Sequence, residues 1–158
     1  MRVQDIMNQA VKTAAPDTSI REVAIQMCFN KISGMPVVTE EQKIVGIISE
    51  KDILHAMYPR VDDVMQGGRV DFEAMETEYC DVVNGQVSEL MTSNVFTVEP
   101  DLPVLKAASI MFVKKIRRIP VAKDGQLLGI ISIGDVHKAV FRQCMEDHTA
   151  GVQTEHAA

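Results

Sequence analysis

Two stretches of this chain follow one pattern: Gly46-Ile47-Ile48-Ser49-Glu50-Lys51-Asp52 and Gly129-Ile130-Ile131-Ser132-Ile133-Gly134-Asp135. Each has a glycine and two isoleucines before a serine, and an aspartate three residues after that serine. A short apolar run is typical of a buried strand, and a serine followed by an acid three residues later is typical of a helix N-terminus. The pattern therefore predicts, twice, a strand that leads directly into a helix.

The similarity between the two halves extends beyond these stretches. A shift of 84 residues aligns 3–7 with 87–91 and 31–37 with 115–121, and both of the latter segments end in Pro-Val. The glycine-isoleucine stretches align at a shift of 83. Repeat two therefore has one residue fewer than repeat one between the Pro-Val segment and the glycine-isoleucine stretch, where a turn is expected. Such repetition indicates a tandem duplication. The predicted organisation is repeat one at 1–58, an acidic and partly helical linker at 59–86, repeat two at 87–145 and a flexible tail at 146–158.

Each repeat is predicted to have the element order β-α-β-β-α. A helix with an apolar stripe follows the first extended segment, behind Ser19 as N-cap in repeat one and Asp101 in repeat two. The later strands are predicted at 35–39, 44–49, 119–122 and 127–132, and the last helices near Asp52 and Asp135. A repeat of about 55 residues buries too little surface to be stable alone. The expected fold is therefore α+β, with two repeats packed in pseudo-twofold symmetry.

Composition and charge argue against a membrane-spanning protein, a secreted protein and a nucleic-acid-binding protein. The chain has 158 residues, 46% apolar and 24% charged, which is typical of a globular protein, and no apolar run is long enough to span a membrane. The N-terminus shows no secretory signal, and the three cysteines form no Cys-x-x-Cys pair, so we expect reduced thiols and a cytoplasmic location. Residues 59–86 hold seven acids and two bases. A nucleic-acid partner is not expected, because such binding needs a basic face.

No catalytic or metal-binding pattern stands out. The histidines have no metal-ligand spacing with the cysteines, and the chain lacks both a Gly-x-x-x-x-Gly-Lys loop and a Gly-x-Ser-x-Gly elbow. Cys28 falls in the apolar stripe of the first helix and is predicted to be buried in the core. Cys80 in the linker is the thiol for which a redox role is worth testing. We expect a binding protein, not an enzyme, without catalytic or metal-ligating residues.

The serine and aspartate of each pattern have two chemical interpretations. The unpaired amides and the dipole of a helix N-terminus favour an anion such as phosphate beside Ser49 or Ser132. The carboxylate of Asp52 or Asp135 can accept two hydrogen bonds at once, which suits the vicinal hydroxyls of a ribose. The same pair can also serve only as a helix cap. The residues themselves leave both interpretations open.

The duplicated β-α-β-β-α unit, with Pro-Val followed by Gly-Ile-Ile-Ser-x-x-Asp, resembles the CBS domain, here as a tandem pair (a Bateman module) over about 3–58 and 87–142. The resemblance implies a regulatory module that binds an adenosine-containing nucleotide, such as AMP, ADP or ATP, and transmits binding as a conformational change. It also implies a homodimer formed through the helices and an effector protein that the sequence does not identify. No cofactor is required, and whether Mg²⁺ accompanies a triphosphate stays open.

In this family the ligand lies in clefts between the repeats, so each site combines residues of both. The resemblance implies a first site made of Ile47, Ser49, Asp52, Val95, Thr97, Ile116, Arg117 and Arg118. It implies a second site made of Val11, Thr13, Ile32, Ser33, Gly34, Ile130, Ser132 and Asp135. Residues 114–118 hold four cations and the matching 30–34 hold one. Because arginine binds phosphate oxygens well, the first site is expected to prefer the more anionic ligand.

A second hypothesis makes the chain a ligand-independent interaction module. The acidic linker and the helix faces would then dock a partner protein, and the two Ser-x-x-Asp pairs would only cap helices.

Overall fold

The structure of the chain is a computed structural model, and it describes residues 1–57, 67 and 72–155. Within these described residues, a short 3₁₀ turn at Val3–Asp5 precedes ten elements. The helices are α1 Ile20–Asn30, α2 Glu50–Met57, α3 Phe72–Val82, α4 Val87–Leu90, α5 Val104–Lys114 and α6 Ile133–Glu155. The strands are β1 Gly34–Val38, β2 Ile44–Ser49, β3 Arg118–Lys123 and β4 Gln126–Ser132. The predicted α+β class and the four main strands are confirmed, with boundaries within one residue.

The chain forms two compact units. Unit I is Lys12–Val95, and unit II combines Met1–Val11 with Phe96–Ala158. The units therefore differ from the sequence repeats, because the segment that begins each repeat lies in the unit built by the other repeat. Val3 is fully buried in the core of unit II, and Val87, its counterpart in the duplication, is fully buried in the core of unit I.

Unit I contains an antiparallel hairpin of β1 and β2, in which Gly34 lies opposite Ser49. A single parallel bridge joins Ala14 to Val37, and a single antiparallel bridge joins Ile47 to Thr92. The first predicted strand of the repeat is thus reduced to one bridge, held by the Ala14 amide donating to the Pro36 carbonyl at 3.0 Å.

Unit II repeats this sheet with β3 and β4. Arg118 lies opposite Ser132, and the flanking bridges join Val98 to Val121 and Asn8 to Ile130. The Asp124-Gly125 turn between β3 and β4 has positive φ angles of 54° and 81°, which suit an Asp-Gly pair in a tight hairpin turn.

Each unit has its own apolar core. Met27 and Ile48 in unit I occupy the same repeat positions as Met111 and Ile131 in unit II, and all four are nearly inaccessible to solvent. The described residues include no buried charged or polar residue. The duplicated apolar pattern therefore produces two similarly packed cores.

The two long helices of the repeats begin differently. Ser19 caps α1 by accepting a hydrogen bond from the Glu22 amide at 3.2 Å, as predicted. The prediction that Asp101 caps α5 is wrong, because the cap residue is Pro103 and the helix begins at Val104. A residue before proline is driven out of the helical region, so Leu102 cannot lie in the first turn of a helix that Asp101 would cap.

Three further expectations are modified. Cys28 is exposed, not buried in the core, because the packed stripe of α1 uses Ile20, Val23 and Met27 and leaves Cys28 at its edge. The linker helix, expected over 70–79 with Phe72, Met75 and Tyr79 on one side, lies at Phe72–Val82. Tyr79 packs against the unit I core, and the side chains of Phe72 and Met75 lie outside the described part of the structure. The last helix continues to Glu155, beyond the predicted start of the tail, whose flexibility stays a prediction.

Candidate functional site

In unit I, the end of β2 and the start of α2 hold Ser49 and Asp52 in a reciprocal arrangement. Asp52 Oδ2 accepts from the Ser49 amide at 2.8 Å and from Ser49 Oγ at 2.5 Å. Ser49 Oγ in turn accepts from the Asp52 amide at 3.3 Å. This is the geometry of a capping box, and it follows from the spacing of three residues.

In unit II, Ser132 and Asp135 reproduce the same three bonds. Asp135 Oδ2 accepts from the Ser132 amide at 2.9 Å and from Ser132 Oγ at 2.5 Å, and Ser132 Oγ accepts from the Asp135 amide at 3.2 Å. The two copies share the arrangement although their other helix residues differ. The arrangement therefore does not depend on the two residues between the serine and the aspartate, Glu50-Lys51 in one copy and Ile133-Gly134 in the other.

The capping bonds use only one oxygen of each aspartate. Each carboxylate, of Asp52 and of Asp135, accepts two hydrogen bonds, and both end on its Oδ2 atom. Within the described part of the chain, no hydrogen bond reaches the Oδ1 atom of either residue. Both side chains are half-buried. Each carboxylate thus keeps an oxygen that can accept a hydroxyl proton from a ligand while the cap stays intact.

The residues that precede β1 and β3 lie beside these pairs. In unit I the Glu50 amide donates to the Ser33 carbonyl at 3.1 Å, and Gly34 faces Ser49 across the hairpin. A Cβ atom on Gly34 would lie only 3.1 Å from the Ile48 carbonyl oxygen, so glycine permits the close pairing. Ser33 and Gly34 are therefore next to the Ser49–Asp52 pair of their own unit.

The corresponding position in unit II is cationic. The Ile133 amide donates to the Arg117 carbonyl at 3.0 Å, and Arg118 faces Ser132 across the β3–β4 hairpin. The structure thus brings Arg117 and Arg118 to the Ser132–Asp135 pair within unit II. Their predicted membership of the Asp52 site stays a prediction.

The other predicted site residues are divided between the units. Unit I contains Thr13, Ile32, Ile47 and Val95, and unit II contains Val11, Thr97, Ile116 and Ile130. None of the sixteen predicted site residues is fully buried. All of them are therefore accessible to a ligand to some degree.

Sequence reasoning missed the residues that cover the motif glycines. A Cβ atom on Gly46 would lie 2.5 Å from Met91 Sδ, and one on Gly129 would lie 2.7 Å from Met7 Sδ. Met7 and Met91 are equivalent in the duplication, as Gly46 and Gly129 are, so the repeat alignment contained the signal. These glycines serve methionine packing at the edge of each sheet.

Two charged side chains outside the Ser-x-x-Asp pairs have defined contacts. Lys114 is the last residue of α5, and its ammonium lies 4.4 Å from the centre of the Phe96 ring, a cation–π contact. Hydrogen bonding with Thr39 lowers the pKa of Glu41, which lies in the exposed β1–β2 turn.

Among the described residues, no three His, Cys, Asp or Glu side chains are grouped to hold a metal ion. Nor is any described helix both long and apolar enough to cross a membrane.

Comparisons with known proteins match this architecture. The family model of the CBS domain matches residues 3–59 and 87–142. The uncharacterized protein MJ1426 of Methanocaldococcus jannaschii is 30% identical over 155 residues, covering 89% of this chain and 92% of that protein. The crystal structure of CBSX2 in complex with AMP is 26% identical, covers 89% of this chain and 96% of that chain, and has a TM-score of 0.70. The CBS domain pair of protein MJ0100, in complex with 5-methylthioadenosine and S-adenosyl-L-methionine, is 27% identical, covers 90% and 98%, and has a TM-score of 0.67.

Proposed function

This chain belongs to the CBS-domain family, and we propose that it is a regulatory module that binds an adenosine-containing ligand without catalysing a reaction. Two proteins of similar fold, CBSX2 and the MJ0100 domain pair, are in complex with AMP and with adenosyl compounds. Their ligands share a ribose that carries adenine. The ligand class proposed for this chain is therefore adenosine with a 5′ substituent, such as AMP, ADP, ATP or adenosylmethionine.

The observation that carries the proposal is the free Oδ1 of each capping aspartate. A carboxylate that caps its own helix through Oδ2 is held in one orientation, so it accepts a ribose hydroxyl with little further ordering. The positive ends of the α2 and α6 helix dipoles lie beside it and favour a phosphate or a carboxylate. Ser49 with Asp52, and Ser132 with Asp135, are the proposed centres of the two sites.

The remaining site residues follow the family resemblance. We propose that Asp52 is joined by Ile47, Val95, Thr97 and residues 116–118, and that Asp135 is joined by Val11, Thr13, Ile130 and residues 32–34. Arg117 and Arg118 then make one site more cationic than the other. Within unit II these arginines flank Ser132, so the Asp135 motif is a second place where they can contact phosphate. The calorimetric test described below shows whether binding of the anionic ligand depends on Asp52 or on Asp135.

Transmission of the signal is proposed to pass through a homodimer to an effector protein that stays unidentified. Large apolar side chains on the outer faces of α5 and α6 support a second copy as the partner, because Phe112 is 70% exposed and Phe141 is 59% exposed. Apolar area of this kind is typical of an interface. The three cysteines are unpaired and exposed, which supports the proposed cytoplasmic location.

The test is titration calorimetry of the full chain with adenosine, AMP, ATP and adenosylmethionine at low salt, with and without Mg²⁺. Asp52→Asn and Asp135→Asn are the variants, because asparagine keeps a cap oxygen and loses the charge. Loss of AMP binding in one or both variants supports the proposal. Absence of heat and of thermal stabilisation for all four compounds would refute it.

A second candidate function has one observation in its favour. The reciprocal bonds of Ser49 and Asp52 account for that motif as a helix cap without any ligand. The chain would then be a ligand-independent module that docks a partner through the acidic linker and the helix faces. Recovery of a partner through residues 59–86, together with stability that does not respond to nucleotides, distinguishes this candidate.

A further inference from the structure

Unit I contains a pocket that neither Ser-x-x-Asp pair lines. Its volume is about 350 Å³, which is within the range of small-molecule sites. The lining residues come from three helices: Ala24, Met27 and Cys28 of α1, Glu50, Ile53 and Leu54 of α2, and Tyr79 of α3. We call it the three-helix pocket.

The three-helix pocket has an apolar floor and a polar rim. Met27 and Ile53 are 2% and 3% exposed, so they form a floor that belongs to the unit I core. Among the described lining residues Glu50 supplies the one charged group, and Tyr79 supplies a half-buried phenol. Within the described part of the chain, no hydrogen bond or salt bridge engages the Glu50 carboxylate. Its charge is therefore available to a bound group.

The duplication provides an internal comparison for this pocket. The unit II residues equivalent to Ala24, Met27 and Ile53 are Ala108, Met111 and Val136, which keep the same floor. The rim differs, because Phe112 replaces Cys28 and Ile133 replaces Glu50. The linker that contains α3 occurs once in the chain, so Tyr79 has no equivalent. The small thiol, the carboxylate and the phenol are thus additions specific to unit I.

We propose that the three-helix pocket binds a small organic cation, namely an apolar body of about ten to fifteen non-hydrogen atoms that carries one amine. The apolar body covers Met27 and Ile53, and the ammonium pairs with Glu50 beside the Tyr79 phenol. An adenylate is a poor occupant, because its negative charge is repelled by the Glu50 carboxylate. The pocket is therefore a second ligand site, separate from the nucleotide sites proposed above.

Tryptamine and indole-3-acetate are suitable probes, since they share an indole body and carry opposite charges. Each is titrated into the full chain while NMR follows the resonances of the pocket residues. Alkylation of Cys28 by iodoacetamide is measured in parallel by peptide mass spectrometry, with Cys144, an exposed thiol of unit II, as internal control. Tryptamine is expected to slow alkylation of Cys28 about threefold at twice its Kd and to leave Cys144 unchanged.

Three variants test the assigned contacts. Glu50→Gln is expected to weaken tryptamine binding about fivefold, as loss of one accessible ion pair does. Cys28→Phe installs the residue of the other repeat, fills the pocket and is expected to abolish binding. Cys28→Ser keeps the pocket volume and is expected to bind tryptamine as the parent does.

The proposal is wrong if millimolar tryptamine leaves both the pocket resonances and the Cys28 rate unchanged. It is equally wrong if indole-3-acetate binds as well as tryptamine, or if Glu50→Gln has no effect. AMP titration of Cys28→Phe keeps the two proposals distinct, because the nucleotide sites do not include Cys28. Normal AMP binding by a variant that no longer binds tryptamine would support two independent sites.

Discussion

Gly46 on β2 packs directly beneath Met91, so that a Cβ atom on Gly46 would lie 2.5 Å from Met91 Sδ and 3.3 Å from Met91 Cβ. The second contact is with the part of the methionine side chain nearest the backbone, which rotation of the thioether does not relieve. In unit II, Gly129 has the same relation to Met7, and the Asn8 carbonyl oxygen also lies 3.0 Å from the position of a Cβ atom. The first segment of each repeat, which contains Met7 or Met91, thus packs against a glycine of the other repeat.

Gly46→Ala and Gly129→Ala are expected to lower the free energy of unfolding by about 1–3 kcal/mol, the usual effect of overpacking a close contact. Chemical denaturation checks both values. Met91→Ala added to Gly46→Ala should recover part of the loss, because the three nearest atoms all belong to that side chain. Met7→Ala should rescue Gly129→Ala less well, since the Asn8 carbonyl remains. Equal rescue in the two units would contradict this account.

Lys31 and Lys115 end α1 and α5 in the left-handed conformation, with φ angles of 52° and 54°. Residues other than glycine are strained there. Lys31→Gly and Lys115→Gly are therefore expected to raise the free energy of unfolding by about 0.5–1 kcal/mol each. Lys106→Gly, inside the same α5 helix, is the matched control and should lower it by about 1 kcal/mol. Thermal unfolding measures all three, and a loss of stability in the first two variants would contradict the prediction.

Ser19 and Asp101 allow a direct comparison of a real cap with a residue that only resembles one. Ser19→Ala removes the acceptor for the Glu22 amide and should cost about 1 kcal/mol. Asp101→Ala should change the free energy of unfolding by less than about 0.5 kcal/mol, because its side chain does not cap α5. Urea denaturation of both variants is the measurement. A similar cost in the two would restore Asp101 as a cap.

Phe112 tests the proposed homodimer. If the outer face of α5 is buried against a second copy, Phe112→Glu places a charge in that interface and should shift the protein toward monomer in sedimentation experiments. Lys106→Glu changes the charge of another exposed residue of α5 and is the control. Circular dichroism confirms that both variants stay folded. An unchanged molecular mass for Phe112→Glu would exclude this face from any dimer.

Local patterns predicted most of the secondary structure. Strands β2 and β4 and the Ser19 cap lie at or within one residue of their predicted positions. Failures occurred where a neighbour in the chain or in space overrides a local signal. Pro103 moved the start of α5 away from Asp101, and packing left Cys28 at the edge of the α1 stripe.

The sequence by itself determined the duplication and the Ser–Asp geometry at both helix starts. The hydrogen bonds that join Ser49 to Asp52, and Ser132 to Asp135, link residues three apart, so a local pattern contains all the information they need. Only the tertiary structure decided that Met1–Val11 joins unit II and that Val87 completes the core of unit I. It also decided that Met7 and Met91 cover the motif glycines and that α3 closes a pocket over α1 and α2. These contacts join segments far apart in the chain, and the shape and volume of the packed partners, which no local spacing encodes, select among the possible pairings.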